Sequence, residues 1–260
     1  MRVPANRNES NNPVIRHLGG WASRFVVPPS AGPQIIDVMA SNGFKEAYLE
    51  LVSRFEKAGK YRVATNFFGS VDIIKKMRAG ETTDLVILSA KTLDELIQIG
   101  KVMPGSRVDL AKSGVGVAVR KGAPRPDIGT TDAFKRALLA AKSIGYSSGP
   151  SGVYLIGLFQ RLGIADVLNP KITQTAPGVM VGGLIARGEV EIGMQQVSEL
   201  LPVAGIDLIG PLPADIQEIT TFSGGVHASA TEPEAARELL AFLTLPDAAP
   251  VIRKAGMEPG

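Results

Sequence analysis

The sequence predicts an α/β fold in which two lobes close on a ligand cleft like the halves of a clamshell. Strand-like and helix-like segments alternate at short spacing from residue 35 onward, which is typical of parallel sheets with right-handed crossovers. A second such run lies between residues 131 and 200. Residues 108–121 form one long extended segment between the two runs, and its length predicts a strand that crosses from one lobe to the other. Two lobes joined by extended crossings are typical of hinged proteins that close around a ligand.

The first run predicts three strand–helix units. The strands are predicted at 35–40, 61–67 and 84–88, and the helices that follow them at 44–58, 71–79 and 91–99. In such sheets ligands bind at the carboxyl ends of the strands. The first two of these ends carry small, hydroxyl-bearing or amide residues and no acidic residue. We therefore predict ligand contacts from Ser41, Asn42, Gly43, Gly69 and Ser70.

A turn of small residues at 147–153 is the strongest candidate for a ligand site. Pro150 suits the first turn of a helix because its missing N–H would have no partner there, and Ser148 or Ser151 can cap that helix. Backbone N–H groups, hydroxyls and the positive end of a helix dipole together attract small anions. The alternative is an ordinary turn with a serine cap. We predict ligand contacts from Ser148, Ser151, Gly152 and Val153.

The remaining elements complete the second lobe and return the chain to the first. Strands are predicted at 143–146, 190–195, 206–210 and 219–229, and helices at 131–141, 153–162, 179–187, 196–200, 232–243 and 248–255. The strand at 219–229 is expected to lie in the first lobe again. The predicted division is a leader at 1–34, a first lobe from 35–115 and 206–260, and a second lobe from 116–205.

Composition narrows the chemistry that the chain can carry out. It has no cysteine, which excludes disulfides and cysteine-based metal sites. Its two histidines, His17 and His227, are far apart in the chain, so we expect no metal site and no Ser-His-Asp triad. We also expect no cofactor. No run approaches the roughly 18 apolar residues of a membrane span, so we expect a chain that does not span a membrane.

The net charge of +3 does not indicate a nucleic-acid partner. All of it comes from residues 1–34, where four arginines face Glu9 alone. The rest of the chain is neutral and poor in aromatic residues, so it lacks both the basic patch and the stacking surface that nucleic acids need.

Residues 1–34 are predicted to be a disordered leader, because they are rich in Asn, Pro and Arg and lack a hydrophobic period. A secretory signal needs an apolar run of roughly 7 to 15 residues. The longest apolar stretch, residues 25–27, ends at Pro28. On this basis we expect no export signal, and a cytoplasmic protein if Met1 is the true start.

Three short sequence strings at the strand ends of the first run are typical of a known protein family. Met39-Ala40-Ser41 follows the first strand, Phe68-Gly69-Ser70 follows the second, and residues 79–89 read AGETTDLVILS. At these positions the chain resembles periplasmic solute-binding proteins of the molybdate-binding type, and the likeness extends from residue 35 almost to the end. Longer strings at 105–114, 147–154 and 195–202 resemble a branch of substrate-binding, molybdate-transport-like proteins. That branch is also similar to the bacterial aconitate isomerases.

The resemblance implies a type II periplasmic-binding-protein fold and a periplasmic location. It implies a monomeric receptor that delivers a small anion to an ABC-transporter permease, the anion being an oxyanion such as molybdate or an organic di- or tricarboxylate. The alternative that it implies is an aconitate isomerase, which interconverts cis- and trans-aconitate on the same fold.

Two departures from the molybdate-binding pattern favour an organic anion. Gln196 stands where that pattern has a tyrosine, and Val71 and Asp72 follow Gly69-Ser70 in place of Ser and Gly. Fewer hydroxyls and an added acid suit a tetrahedral oxyanion poorly, whereas glutamine amides suit a carboxylate. Because side chains alternate along a strand, Gln195 is expected to face solvent, so Gln196 is the predicted ligand contact.

An isomerase would also need a base to move a proton between two carbon atoms. Asp72, Tyr146, Lys112 and a serine acting through water are all candidates, and the sequence does not choose among them.

Overall fold

The computed structural model describes residues 33–57 and 59–260, so the predicted leader lies outside the described residues except for its last two positions. The strands are β1 (Gln34–Ser41), β2 (Tyr61–Phe68), β3 (Leu85–Ser89), β4 (Val108–Arg120), β5 (Ile144–Tyr146), β6 (Ile172–Gln174), β7 (Ile192–Gln196), β8 (Ile206–Pro211), β9 (Ile219–Val226) and β10 (Glu258–Pro259). The helices are α1 (Lys45–Glu56), α2 (Ser70–Arg78), α3 (Ala90–Gln98), α4 (Thr131–Ala140), α5 (Pro150–Arg161), α6 (Ala165–Leu168), α7 (Val181–Arg187), α8 (Val197–Leu200), α9 (Pro233–Leu243) and α10 (Ala249–Lys254). None of these described helices is both long enough and apolar enough to cross a membrane.

The first lobe is built on the three parallel strands that the sequence predicts. β1 lies between β2 and β3 and is parallel to both. Helices cover both faces of this sheet: α1 and α9 bury Tyr48, Leu51 and Leu239 on one face, and α2 and α3 bury Met77 and Leu93 on the other. Because both faces are covered, every residue of β3 is buried, which explains its unbroken apolar sequence. Because the three strands are parallel, their carboxyl ends lie at one edge of the sheet.

Strand β4 connects the two lobes, as its length predicts. Its first half, from Val108 to Gly114, pairs with β9 in the first sheet, and its second half, from Val115 to Val119, pairs with β7 in the second sheet. β8 also pairs with the second half of β4, whereas β9 pairs with β3 and with the first half of β4. The predicted division, with the return to the first lobe at residue 206, stays a prediction; β8, which begins there, pairs with the second half of β4.

The second lobe repeats the architecture of the first on a smaller scale. β5 lies between β6 and β7 and is parallel to both. Phe134 of α4 and Leu155 of α5 pack in the core on one face, and Val181 and Ile185 of α7 pack on the other. The carboxyl ends of β5 and β7 consequently lead into α5 and α8 at the edge of the sheet.

The structure differs from the predicted elements mainly in short segments. α5 begins at Pro150, three residues earlier than predicted, because the proline occupies the first helical turn. The short elements α6, β6 and β10 were not predicted, since two to four residues carry too little periodicity to identify. The other predicted strands and helices are present, with ends shifted by a few residues.

Candidate functional site

A cavity of about 140 Å³ lies where residues at the strand ends of both lobes meet. First-lobe residues after β1 and β2 line it, together with second-lobe residues after β5 and β7. Seven of the ten predicted ligand contacts lie on its surface: Ser41, Asn42, Gly43, Gly69, Ser70, Ser148 and Gln196. The parallel topology explains this, because strand ends that are distant in sequence meet at one edge of each sheet.

In the first lobe a chain of hydrogen bonds ends at the hydroxyl group of Ser41. The backbone N–H of Ser89 donates to Ser70 Oγ (3.2 Å), and Ser70 Oγ donates to Ser41 Oγ (3.3 Å). Ser41 Oγ also accepts from the backbone N–H of Gly43 (3.4 Å). A hydroxyl has one donor and two acceptor sites, so both acceptor sites of Ser41 are used. Its own proton has no acceptor among the described residues and is available to a ligand.

The second lobe contains a similar arrangement. Ser147 Oγ accepts from the backbone N–H of Gly149 (3.3 Å) and lies 3.2 Å from Ser151 Oγ. Ser147 therefore follows β5 and contacts Ser151 of α5, much as Ser41 ends β1 and contacts Ser70 of α2. Ser148, the predicted contact next to it, is half-buried and lines the cavity.

Helices α2 and α5 begin at the cavity wall. Gly69 and Gly149 are their N-caps, and neither helix has a side-chain cap, so the predicted capping of α5 by Ser148 or Ser151 is wrong. The first N–H groups of a helix have no partner within it, and the helix dipole makes this end positive. The two helix ends therefore favour negative charge in the cavity.

Three predicted contacts lie behind this surface. Ser151 is buried against Ser147, and Gly152 packs directly on the carbonyl group of Ser147, where a Cβ atom would come within 1.6 Å of the oxygen. Val153 points to solvent with 61% of its surface exposed, and its N–H donates to the carbonyl oxygen of Gly149. Among the described residues these three support the turn but do not line the cavity.

Gln195 and Gln196 both line the cavity, so the expectation that Gln195 faces solvent is wrong: each is 2% exposed. The core that includes α4 and α5 covers one face of β7 and α7 covers the other, so side chains on both faces of the strand are buried. Gln195 Oε1 accepts from the backbone N–H of Val181 (2.9 Å) and so caps α7.

The amide of Gln196 is occupied by protein partners. With Oε1 accepting from Thr220 Oγ1 (2.8 Å), Nε2 donates to the carbonyl oxygens of Ser113 (3.0 Å) and Gly114 (3.2 Å). Both amide hydrogens are then used. Gln196 thus links β7 of the second sheet to β4 and to β9 of the first sheet.

Glu199, on α8, is a cavity residue that the sequence analysis missed. Burial raises the pKa of this carboxyl group to about 7, while hydrogen bonds from the Gln195 side chain and the Gln196 backbone act in the opposite direction. It lies three residues beyond Gln196, in the first turn of the helix that follows β7. That spacing was the available signal, because residues just past a strand end in an α/β sheet lie near the ligand site.

The structure separates the four candidate bases. Asp72 lines the cavity together with Lys75, a second residue that the sequence analysis missed, and among the serines Ser41, Ser70, Ser147 and Ser148 line it. Tyr146 is buried against Phe159, where burial raises the pKa of its phenol, and it does not line the cavity. Lys112 lies in a different surface depression, next to Gly114.

Comparison with known proteins identifies the fold and the family. Residues 36–258 match the model of the family described as bacterial extracellular solute-binding protein. Aconitate isomerase of a Pseudomonas species is 38% identical over 230 residues, which cover 86% of this chain and 87% of that protein. The molybdate-binding protein ModA of Escherichia coli (strain K12) is 24% identical over 233 residues, covering 85% and 88%.

A solved structure supports the same conclusion. The periplasmic molybdate-binding protein of Azotobacter vinelandii superposes with a TM-score of 0.72 at 20% sequence identity, covering 85% of this chain and 98% of that one. At this identity the likeness concerns the fold, and it confirms the predicted two-lobe α/β architecture. The chain belongs to the family of bacterial extracellular solute-binding proteins.

Proposed function

We propose that this protein binds a small carboxylate-bearing organic anion in the cavity between its lobes and acts outside the cytoplasm. The observation that carries the proposal is the Ser41 hydroxyl, which ends a hydrogen-bond chain and keeps its proton for a ligand at the wall where α2 and α5 begin. Donors and helix dipoles directed at one point stabilise negative charge. Lys75, an exposed cation at the same cavity, adds to this attraction.

The cavity suits a carboxylate better than a tetrahedral oxyanion. Its wall includes two carboxyl groups, those of Glu199 and Asp72. A compact dianion surrounded by the wall would be repelled by an ionised carboxylate, because charges a few ångströms apart interact strongly away from water. A larger organic anion can direct its carboxylates toward the serines and helix ends and place an uncharged carbon next to Glu199.

A second candidate function is isomerisation of such an anion. It is favoured by the 38% identity to aconitate isomerase over most of both chains. In the receptor role the protein would deliver its ligand to an ABC permease, as the resemblance to the periplasmic receptors implies. Both functions require the same first step, binding of the anion in the cleft.

Calorimetry with cis-aconitate, trans-aconitate, citrate, molybdate and sulfate tests the binding proposal. We expect saturable binding of at least one tricarboxylate and weaker binding of molybdate and sulfate. Tighter binding of molybdate than of every carboxylate would contradict the proposal. Proton NMR with excess cis-aconitate then separates the roles: steady formation of trans-aconitate indicates the isomerase, and binding without conversion indicates the receptor.

A further inference from the structure

The cavity contains a carboxyl group that anion binding does not require. Glu199 is partly buried in its wall on α8, three residues beyond Gln196. A receptor for an anion gains affinity from donors, whereas a buried carboxyl group lowers affinity whenever it is ionised. Its burial holds it near the midpoint of its titration at neutral pH, because the pKa is raised to about 7. Groups in this state suit proton transfer.

Glu199 also lies between two cavities. A second cavity of about 350 Å³ shares Asn42, Gly178, Met180 and Glu199 with the ligand cavity. The charged residues that line either cavity with Glu199 are Asp72 and Lys75 on the ligand side and Lys45 and Glu46 on the other side. Of these carboxyl groups only Glu199 lines both cavities. It can therefore contact a bound ligand on one side, while the second cavity lies on its other side.

We propose that Glu199 is a catalytic residue that moves a proton between two carbon atoms of an unsaturated carboxylate bound in the cleft. The proposal rests on the proposed function, because the substrate must first bind as an anion at Ser41 and the two helix ends. It names the base that the sequence left open, and it places that base on α8 of the second lobe, in the same cavity wall as the donors.

The reaction needs only the carboxylate and the donors. The ionised carboxylate of Glu199 removes a proton from a CH₂ group that lies next to both a carboxylate and a C=C bond, so a C–H bond breaks and an O–H bond forms. The electron pair spreads over three carbon atoms and onto a carboxylate oxygen, which the Ser41 hydroxyl and the helix N–H groups stabilise. Glu199 then returns the proton to the far carbon. The double bond moves by one position, atoms and charge balance, and no oxidant or reductant takes part.

The test compares Glu199→Gln with Glu46→Gln. Glutamine keeps the size of the side chain and its acceptor oxygen but cannot take up a proton, and Glu46 is an exposed carboxyl group that lines only the second of the two cavities. Calorimetry measures binding of cis-aconitate, and proton NMR measures its conversion. We expect Glu199→Gln to bind within about tenfold of wild type and to lose about 10²- to 10⁴-fold in turnover. Glu46→Gln should match wild type in both.

The outcomes separate this proposal from the proposed function. Turnover of Glu199→Gln within tenfold of wild type overturns the role of Glu199. Binding without turnover in wild type also overturns it but leaves the binding function standing, whereas a lack of binding to every carboxylate removes the binding function itself.

If circular dichroism shows that Glu199→Gln does not fold, the pH dependence of wild type decides. A base must be unprotonated in the free enzyme, so kcat/KM should fall as pH drops below about 7. Affinity for the anion should rise over the same interval, because a protonated Glu199 no longer repels it. A kcat/KM that does not change between pH 5.5 and 8 overturns the proposal.

Discussion

At the scale of single residues, Ser41 and Ser70 have different parts in one hydrogen-bond chain. Ser70 donates to Ser41 and accepts from the backbone N–H of Ser89, so its only proton is used within the protein. Ser41 accepts twice and keeps its proton for the cavity. Two buried serines at neighbouring strand ends therefore differ in what they offer a ligand.

We predict that Ser41→Ala weakens ligand binding more than Ser70→Ala does. Each change should cost about 0.5 to 3 kcal/mol of binding free energy, with Ser41 at the upper end because it loses a direct donor. Calorimetry with the ligand found in the screen measures both. Ser53→Ala, on the exposed surface of α1, is the control and should bind like wild type. Wild-type affinity in the Ser41/Ser70 double variant would place the ligand elsewhere.

At the scale of elements, the start of α5 depends on how closely it approaches the end of β5. Gly152 lies against the carbonyl oxygen of Ser147, and a Cβ atom there would come within 1.6 Å of that oxygen. Gly157 lies one and a half turns further along the same helix. There the nearest neighbour of an added Cβ is the end of the Arg161 side chain, at 3.5 Å. Position 152 therefore has no room for the methyl group of alanine, whereas position 157 has room for it.

We predict that Gly152→Ala disrupts the site while Gly157→Ala does not. The first change must push the N-terminus of α5 away from Ser147, which should lower the free energy of unfolding by several kcal/mol and abolish ligand binding. The second should raise the free energy of unfolding by about 0.5 to 1 kcal/mol, because alanine is the better helix former. Urea denaturation and calorimetry measure both. Equal stabilities of the two variants would show that α5 is not held as described.

Gln196 also acts between elements. Its amide links β7 to the carbonyl groups of β4 and to Thr220 of β9. We predict that Gln196→Ala lowers the free energy of unfolding by about 1 to 3 kcal/mol, because it leaves buried polar groups without partners. Gln160→Ala, at an exposed position of α5, should leave stability within about 0.5 kcal/mol of wild type. An unchanged denaturation midpoint in Gln196→Ala would remove the linking role and return Gln196 to the list of ligand contacts.

At the scale of the whole molecule, the partly buried Glu199 and the buried His227 make stability depend on pH in opposite directions. The pKa of Glu199 is raised from 4.5 to about 7, so the folded protein binds more protons than the unfolded chain between these values. Stability must then fall as pH rises through this interval. Burial lowers the pKa of His227 from 6.5, so its contribution is present above pH 6.5 and is lost as pH falls below that value.

We predict that Glu199→Gln removes the first of these effects. At pH 8 the variant should be more stable than wild type by up to about 3 kcal/mol, the free energy that corresponds to the pKa shift, and at pH 4.5 the two should be equal. The difference between the two proteins isolates Glu199, because His227 contributes equally to both. Urea denaturation from pH 4.5 to 8 measures it. A difference that stays constant with pH would mean that Glu199 is not buried in the folded protein.

The sequence by itself determined the α/β class, the crossing strand β4, and most of the strand ends that meet at the cavity. These features depend on hydrophobic periodicity and on the chain order of strands and helices, both of which are local properties of a sequence. The small residues Ser41, Gly69, Ser70 and Ser148 could be singled out for the same reason, since each lies within two residues of a strand end or a helix start.

Only the tertiary structure decided which side chains face the cavity, how deeply each is buried and how its pKa is shifted. Gln195 is buried because α7 and the core cover both faces of β7, so alternation along the strand did not predict its direction. The N–H of Val153 is hydrogen-bonded to Gly149 because α5 begins three residues earlier than its apolar pattern indicates. The sequence does not distinguish Glu199 from an exposed glutamate such as Glu46. The pKa of Glu199 is raised because folding buries its carboxyl group. Burial and electrostatic environment depend on all the elements that surround a group, and these are assembled only when the chain folds.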